Sequence, residues 1–236
     1  LPLRVGPQVQ ALPRHIAASE RLSPLVHVVA AALIDAAGRV LIAQRLPGTH
    51  LAGGWEFPGG KLQPGEERLA GLARELREEL GIGIHTPRPL IRVRHAYPSR
   101  EVLLDVWVVK TYSGEPRGLD GQALRWCTQD ELAATELLPA DGPIVAALRL
   151  PERLTQASTE YYAVGGAGEG RLAGAFCSGV HEAMEAAGAG ADFLVMRRAL
   201  PPEELAELCR RVAVPVFARG VELEEAWGLG ASGVSE

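Results

Sequence analysis

The stretch from Gly60 to Ile82 reads GKLQPGEERLAGLARELREELGI and decides most of what the chain can be. A glycine-containing turn opens it, and a helical pattern follows from Glu67 to Leu80. Gly81 comes directly after the last periodic residue, at the C′-like position where a left-handed glycine ends many helices. The sequence therefore predicts a turn, a helix and a defined helix end within 23 residues.

Three acidic residues of this helix share one face. Glu75, Glu78 and Glu79 stand at positions i, i+3 and i+4, so their side chains lie within one turn of each other. Like charges at this spacing repel, and a bound cation reverses the sign of that interaction. Carboxylate oxygens that leave room for water and phosphate oxygens are the ligands that Mg²⁺ or Mn²⁺ accepts. The alternative interpretation is an ordinary solvated helix face.

The composition narrows the class of protein. The chain has 236 residues, 47% of them hydrophobic, and a net charge of −5 without a basic tract. It is long enough to bury one large core or two modest ones, and its charge argues against a nucleic-acid polymer as partner. No apolar run approaches the length of a membrane span, and residues 1–23 lack the apolar core of a signal peptide. We therefore expect a cytoplasmic protein with no membrane partner.

The cysteines give no sign of a disulfide framework or a zinc site. Cys127, Cys177 and Cys209 are odd in number, far apart and without a C-x-x-C pair. They are expected to be small buried hydrophobic residues in a reducing compartment.

The pattern predicts an N-terminal arm at residues 1–24 and an α/β domain at residues 25–150. Prolines without clear periodicity mark the arm. The strands and helices predicted for the domain are Val26–Leu33, Val40–Gln44, helix Glu67–Leu80, Ile91–His95, Val102–Thr111, Ala123–Cys127 and helix Asp141–Leu148, with Asp141 as helix N-cap.

A second unit is predicted after a polar, glycine-containing linker at residues 151–170. Apolar strands alternate regularly with helices over residues 171–236, which is typical of parallel pairing. The predicted elements are strand Leu172–Phe176, helix His181–Ala187, strand Asp192–Met196, helix Pro202–Val212, strand Val214–Ala218, helix Glu222–Trp227 and strand Ser232–Val234. Four strands cannot close a barrel, so this unit must pack on the first domain, pair with another chain or be covered by the arm.

The stretch from Gly60 to Ile82 resembles the Nudix box, G-x5-E-x7-R-E-U-x-E-E-x-G-U with U aliphatic, at every fixed position. The resemblance implies an α/β/α sandwich with a mixed sheet and the hydrolysis of a diphosphate linkage with Mg²⁺ or Mn²⁺. Divalent metals suit that reaction because they clamp phosphate oxygens and lower the pKa of bound water.

The same resemblance implies the metal and catalytic residues. It assigns as metal ligands Glu75, Glu78, Glu79, the carbonyl of Gly59 and, from the sequence Gly118 to Gln122, Asp120. Arg74 would orient the carboxylates, and Glu66 ties the loop to the helix. Glu75 and Asp120 both remain candidates for the general base.

Residues 26–150 further resemble MutT-type Nudix hydrolases. Glu56 to Lys61 reproduces the stretch that enters the box, and Tyr97-Pro98-Ser99-Arg100 matches the loop that flanks the purine. The substrate-binding residues implied in this way are Arg45, His50, Phe57, Tyr97, Arg100 and Asp141. Trp55, in contrast, is expected in the core. Such enzymes hydrolyse 8-oxo-dGTP to 8-oxo-dGMP and pyrophosphate, which removes oxidised nucleotides before DNA replication.

Asp141 departs from the MutT pattern, which has an asparagine before the closing helix. An ionised carboxylate accepts both donors of a guanine edge but lacks the amide's own donor. The alternatives are a helix N-cap for Asp141, a solvated charge for Arg45 and a surface position for His50.

Residues 171–236 resemble the second half of a thiamine-phosphate synthase barrel. Gly-Ala-Asp192 and Gly-Ala-Ser232 precede strands, and Cys177-Ser178-Gly179 and Arg219-Gly220 follow them, at the end where barrel sites usually lie. Nothing corresponds to the first half of such a barrel, which argues against a synthase activity. The half-barrel could instead support a homodimer.

The resulting expectation is a Mg²⁺-dependent hydrolase of oxidised purine nucleoside triphosphates. The alternatives are hydrolysis of another nucleoside diphosphate derivative, such as ADP-ribose or a general dNTP, and a non-catalytic nucleotide sensor.

Overall fold

The computed structural model describes residues 25–155, 162–164 and 172–235. The predicted arm at residues 1–24 and parts of the predicted linker lie outside the described residues. The strands are β1 Leu25–Leu33, β2 Val40–Gln44, β3 Trp55–Glu56, β4 Gly59–Lys61, β5 Gly83–His85, β6 Arg88–Tyr97, β7 Arg100–Val109, β8 Thr111–Ser113, β9 Leu124–Cys127, β10 Arg153–Leu154, β11 Tyr162–Val164, β12 Leu172–Cys177, β13 Phe193–Met196, β14 Val216–Arg219 and β15 Gly233–Ser235. The helices are α1 Arg68–Leu80, α2 Gln129–Ala133, α3 Gly142–Leu148, α4 Val180–Gly188, α5 Pro202–Arg211 and α6 Leu223–Gly228, with a 3₁₀ turn at Pro139–Asp141.

The first unit is built on a mixed sheet with the order β4-β1-β7-β6. β1 runs parallel to β7 and antiparallel to β4, and β6 is antiparallel to β7. A second antiparallel sheet has the order β3-β2-β9, and β5 pairs with β8. Both faces of the mixed sheet are covered, so alternate residues of β1 point into two separate cores.

Helices α1 and α3 cover opposite faces of this sheet. Leu72, Leu76 and Leu80 of α1 pack in one core with alternate β1 residues such as Val29, and all of them are buried. Ile144 of α3 packs in the other core, which also holds Ala30 and Val106. The predicted α/β/α sandwich with a mixed sheet is confirmed.

The second unit is a six-stranded parallel sheet with the order β10-β15-β14-β13-β12-β11. The sequence predicted four of these strands; β10 and β11 lie in the range predicted as linker. Helices α4 to α6 cover one face, where Leu194 and Met196 are buried against Leu205 and Leu208. The partial, barrel-like α/β unit predicted from the sequence is thus confirmed, with two more strands than expected.

The end of the first unit packs against the other face of the parallel sheet. Phe193, Val195 and Phe217 form a buried cluster there with Leu150 and Leu154, and Ala146 of α3 packs against it. The sequence left three possibilities for this unit: packing on the first domain, pairing with another chain, or cover by the arm. The described residues show packing on the first domain.

A polar contact also joins the two units at an edge strand. The pairing of β6 with β7 is irregular between Pro89 and Ile91, and the Ser232 hydroxyl donates a hydrogen bond of 2.6 Å to the carbonyl of Leu90 at this point. Glu152 pairs with Lys110 at 2.8 Å and Arg88 at 3.0 Å. These contacts fix the second unit against the edge of the mixed sheet.

Two simpler expectations can be compared with the described residues. All three cysteines are free and buried, as predicted. Within these residues, no helix combines the length and the hydropathy that crossing a membrane requires.

Candidate active site

The loop between β4 and α1 is held by one glutamate and one arginine. Glu66 accepts a hydrogen bond from the backbone N–H of Gln63 at 2.9 Å and two from the Arg74 guanidinium, each at 2.8 Å. These bonds hold the pKa of Glu66 down to about 2. Glu66 therefore ties the loop to the helix, as predicted.

Arg74 also contacts two of the three acidic residues on the α1 face. Its guanidinium lies 2.9 Å from Glu75 Oε1 and 3.1 Å from Glu78 Oε2. The pairings raise the pKa of Arg74 above its usual value. Glu78 is the more open of the two, with 61% of its side chain exposed against 14% for Glu75.

Glycine at position 60 allows the Glu75 carboxylate to lie against the backbone of β4. A Cβ at Gly60 would overlap this carboxylate, so any other residue would push Glu75 away. The neighbouring Gly59 donates its backbone N–H to Glu79 Oε2 at 3.3 Å. The glycine pair thus brings strand β4 against two of the acidic side chains.

Glu79 is surrounded by negative charges, an environment that favours a bound cation. Its pKa is raised to about 7, first by burial and then by the negative charges of Glu75, Glu56 and Asp120, although the bond from Gly59 opposes the rise. Within the described ranges, no three His, Cys, Asp or Glu side chains already converge on one point. The donor set still fits a divalent cation, because four carboxylates repel each other around a half-buried position and their oxygens are hard ligands.

Asp120 reaches this region from the loop between β8 and β9. The carbonyl of Glu79, near the end of α1, accepts the backbone N–H of Leu119 at 2.9 Å and the side-chain amide of Gln122 at 3.0 Å. Gln122 also accepts from the backbone N–H of Asp120 at 3.0 Å. Asp120 is exposed and adds its negative charge to the field at Glu79.

A cavity of about 190 Å³ opens beside Gly59 and Gly60. All six residues predicted to bind the nucleotide line it: Arg45, His50, Phe57, Tyr97, Arg100 and Asp141. The rings of His50 and Tyr97 meet edge to face with centroids 5.5 Å apart, which gives one wall an aromatic character. The structure therefore brings the predicted base-side residues and the box loop into one continuous pocket.

Asp141 is buried in this pocket with only 4% of its surface exposed. It occupies the N-cap position of α3, as predicted, but its side chain makes no cap bond to the helix. Its Oδ2 atom has no hydrogen-bond partner among the described residues. Burial, and next the nearby charge of Glu56, raise the pKa of Asp141 to about 8, so at neutral pH the carboxyl keeps its proton and can donate as well as accept.

Glu56 is a pocket residue that the sequence did not single out. It lines the cavity and pairs with Arg45 at 2.6 Å. Burial raises the pKa of Glu56 despite this ion pair. The Arg45 side chain also donates to the carbonyl of His50 at 2.6 Å, so the solvated-charge interpretation of Arg45 is wrong.

Trp55 lies outside this pocket. Its ring packs against the core on the α3 side, and the Arg125 guanidinium stands 4.5 Å from the ring centroid. The prediction of a core role for Trp55 is confirmed.

Comparisons with known proteins match the first unit of the chain. A family model described as the NUDIX domain matches residues 29–147. The CTP pyrophosphohydrolase of Escherichia coli is similar, with 39% identity over 119 residues, 50% of this chain and 88% of the relative. The 8-oxo-dGTP diphosphatase of the same organism is 34% identical over 110 residues, 47% of this chain and 85% of the relative. Among solved structures, the MutT Nudix hydrolase from Burkholderia pseudomallei is similar with a TM-score of 0.47 and 31% identity, covering 52% of this chain and 95% of that one.

The fold and the acidic helix define a hydrolase that acts on acid anhydrides of phosphorus. The chain belongs to the Nudix family. Enzymes of this family generally require a divalent metal, usually Mg²⁺, and act on nucleotide substrates.

Proposed function

We propose that this protein hydrolyses oxidised purine nucleoside triphosphates, with 8-oxo-dGTP as the preferred substrate, and so cleans the nucleotide pool. The observation that carries the proposal is the buried carboxyl of Asp141, which lines the pocket that opens onto the box loop and whose pKa is raised to about 8. 8-Oxoguanine presents an N7–H donor next to the O6 acceptor, whereas guanine presents two acceptors at the same edge. A protonated carboxyl offers one acceptor and one donor, so it matches the N7/O6 edge of the oxidised base and mismatches the same edge of guanine.

The phosphates would lie on the side of Gly59, Gly60 and the acidic face of α1. Bound Mg²⁺ supplies charge neutralisation and activates the attacking water. Glu75, Glu78, Glu79 and Asp120, with the carbonyl of Gly59, would hold it. Arg74 would keep Glu75 and Glu78 oriented through its contacts of 2.9 and 3.1 Å.

CTP is the second candidate substrate. The relative that cleaves it is 39% identical to this chain. Cytosine presents an N4–H donor beside the N3 acceptor, so a protonated Asp141 also matches this base. The same carboxyl therefore supports both candidates. The preference for a purine or a pyrimidine then depends on the shape of the rest of the pocket.

The test is pyrophosphate release with Mg²⁺ at pH 7 from 8-oxo-dGTP, dGTP, CTP and ADP-ribose, compared as kcat/KM. We expect 8-oxo-dGTP to exceed dGTP by at least about tenfold, the value of one matched hydrogen-bond pair. A higher kcat/KM for CTP than for 8-oxo-dGTP would replace the proposal with the second candidate. Absence of turnover with all four would favour the nucleotide sensor.

A pair of variants isolates the role of Asp141. Asp141→Asn keeps one donor and one acceptor, so the preference for 8-oxo-dGTP over dGTP should persist. Asp141→Leu has similar bulk without polar atoms, and the preference should fall towards one. Equal selectivity in the two variants would show that Asp141 does not read the base.

A further inference from the structure

The loop that carries Asp120 is fastened to the last turn of α1. Carbonyl groups at the end of a helix have no partner within the helix. The backbone N–H of Arg117 donates to the carbonyl of Leu80 at 3.0 Å. The backbone N–H of Leu119 donates to the carbonyl of Glu79 at 2.9 Å. The loop therefore satisfies two carbonyls of α1 just before the chain reaches Asp120.

The Gln122 side chain adds a contact in which both ends of its amide take part. Its Nε2 atom donates to the carbonyl of Glu79 at 3.0 Å, and its Oε1 atom accepts the backbone N–H of Asp120 at 3.0 Å. One side chain can make both bonds only if it carries a donor and an acceptor together, as an amide does. Gln122 therefore links the backbone of Asp120 directly to the end of α1.

The backbone around this amide is closely packed. A Cβ at Gly118 would overlap the backbone carbonyl of Gln122 and would lie 3.0 Å from its Oε1 atom. Gly121 turns the chain between Asp120 and Gln122 with a φ of 83°, and its N–H donates to the carbonyl of Gly118 at 3.1 Å. The segment is thus a compact turn, and the exposed Asp120 is part of it.

Glu79 connects this turn to the acidic face of α1. Its side chain accepts the N–H of Gly59 at 3.3 Å, while its carbonyl accepts the Gln122 amide. Asp120 lies close enough to add its negative charge to the field at Glu79. Because like charges repel, this field favours movement of Asp120 away from α1. The bond from the Asp120 backbone to Gln122 opposes that movement.

We propose that Gln122 is a positioning residue, which holds Asp120 beside Glu79 so that both carboxylates can bind the divalent cation. The inference rests on the proposed function, since it assumes that the acidic face of α1 and Asp120 hold a metal. Residues that hold metal ligands in place commonly tune a site in this way, and their loss typically weakens metal binding by about 10- to 100-fold.

The test measures Mn²⁺ binding to the full chain without nucleotide, by electron paramagnetic resonance of the free ion. Gln122→Met has a similar length and no amide, and it should weaken Mn²⁺ binding about tenfold. Asp120→Asn removes a carboxylate and should weaken binding at least about tenfold. Gln129→Met is the matched control, because Gln129 donates its amide to the carbonyl of Leu148 at 3.3 Å, at the end of a different helix. Its affinity should equal that of the parent protein.

A double variant separates positioning from simple stabilisation of the loop. If Gln122 acts through Asp120, adding Gln122→Met to Asp120→Asn should change the Mn²⁺ affinity less than about twofold. A further loss of about tenfold would show that the two residues act independently, and it would overturn the inference. The same follows if Gln122→Met binds Mn²⁺ like the parent protein while Asp120→Asn does not.

A second substitution covers the case in which Gln122→Met does not fold. Gln122→Asn keeps the amide but is one methylene shorter, so it cannot span from Glu79 to Asp120 and should bind Mn²⁺ more weakly than the parent protein. Parent-like affinity of this variant would contradict the inference. If Asp120→Asn itself binds like the parent, Asp120 is no metal ligand and the inference fails with that assignment. The measurement uses no nucleotide, so failure of the substrate assay alone would remove the proposed function and leave this result in place.

Discussion

Asp141 combines two properties that usually exclude each other, a carboxyl group and deep burial. It has 4% of its surface exposed, and the charge of Glu56 lies nearby. Both effects disfavour the ionised form, so the proton stays on the carboxyl to a pH of about 8. A protonated carboxyl has the donor and acceptor pair that an amide would have, so the raised pKa predicts that this position can still donate at neutral pH.

Protonation of Asp141 should be visible in the pH dependence of stability. Its pKa is raised in the folded state, so its contribution is fully present below pH 4 and is lost as the pH rises towards 8. Asp141→Asn has no carboxyl to ionise, so it keeps this stability at high pH. It should be more stable than the parent by on the order of 2 to 5 kcal/mol at pH 8.5, with a much smaller difference at pH 4. Urea unfolding at both pH values measures the two differences.

Asp130→Asn is the matched control, because Asp130 is exposed on α2. This variant should show a small difference that does not grow between the two pH values. A constant stability difference for Asp141→Asn from pH 4 to 8.5 would contradict a protonated Asp141.

Glu78 tests the proposed metal site, because its side chain is 61% exposed and contributes little to packing. Glu78→Gln removes one negative charge from the acidic face of α1 and should lower kcat by about 10²- to 10⁴-fold. The free energy of unfolding should stay within about 0.5 kcal/mol of the parent. Steady-state kinetics with Mg²⁺ and urea unfolding measure the two quantities.

Glu67→Gln removes the same charge at the start of α1, where the side chain makes no cap bond. Its turnover should match that of the parent protein. Near-normal kcat in Glu78→Gln would show that Glu78 does not serve the reaction.

The acidic face of α1 could be predicted from the sequence, because helical spacing alone brings Glu75, Glu78 and Glu79 together. Glu56 was missed, since its closeness to Asp141 depends on how distant segments pack. The raised pKa of Asp141 follows from burial by the finished fold, and no local pattern encodes that burial.

Helix α1 shows how local chemistry fixes an element. Its leucines recur at 72, 76 and 80, all buried, and Gly81 ends it with φ at 71°. The backbone N–H of Gly81 donates to the carbonyl of Arg77 at 3.1 Å. The sequence predicted this helix to within one residue at its start and correctly at its end.

Gly81→Ala should destabilise the protein by about 1 kcal/mol, because alanine is strained at positive φ while the added Cβ would meet no worse than ordinary contact with Leu119. Urea unfolding gives the change. Gly142→Ala is the control, since Gly142 has a helical φ of −51° and open space around it. If the two substitutions cost the same, the left-handed helix end is not what stabilises α1.

In the second unit, the sequence missed two very short strands. β10 has two residues and β11 three, too few for an alternating pattern to show. Their place in the sheet depends on parallel partners that come later in the chain, β15 and β12. Register with a distant strand is a property of the whole sheet, so local sequence cannot reveal it.

The contact between Ser232 and Leu90 links the two units of the molecule. Both groups are buried, so Ser232→Ala leaves the carbonyl of Leu90 without this donor and should lower the free energy of unfolding by about 1 to 2 kcal/mol. Urea unfolding followed by tryptophan fluorescence measures the loss.

Ser178→Ala is the control on the same unit, because Ser178 is exposed in a loop. It should change stability by less than about 0.5 kcal/mol. A Ser232→Ala variant as stable as Ser178→Ala would show that the contact across the units contributes nothing.

The pairing of β10 with β15 has a consequence for how the chain is made. A ribosome completes the Nudix sheets once α3 has emerged, and domains made first generally fold first. Leu150 and Leu154 emerge soon afterwards, but their buried partners Phe193 and Phe217 are translated much later. During that interval the nascent chain carries an apolar segment and a strand, β10, whose neighbour β15 comes much later in the chain. While residues 155–235 are being translated, this exposed apolar segment is therefore prone to aggregation.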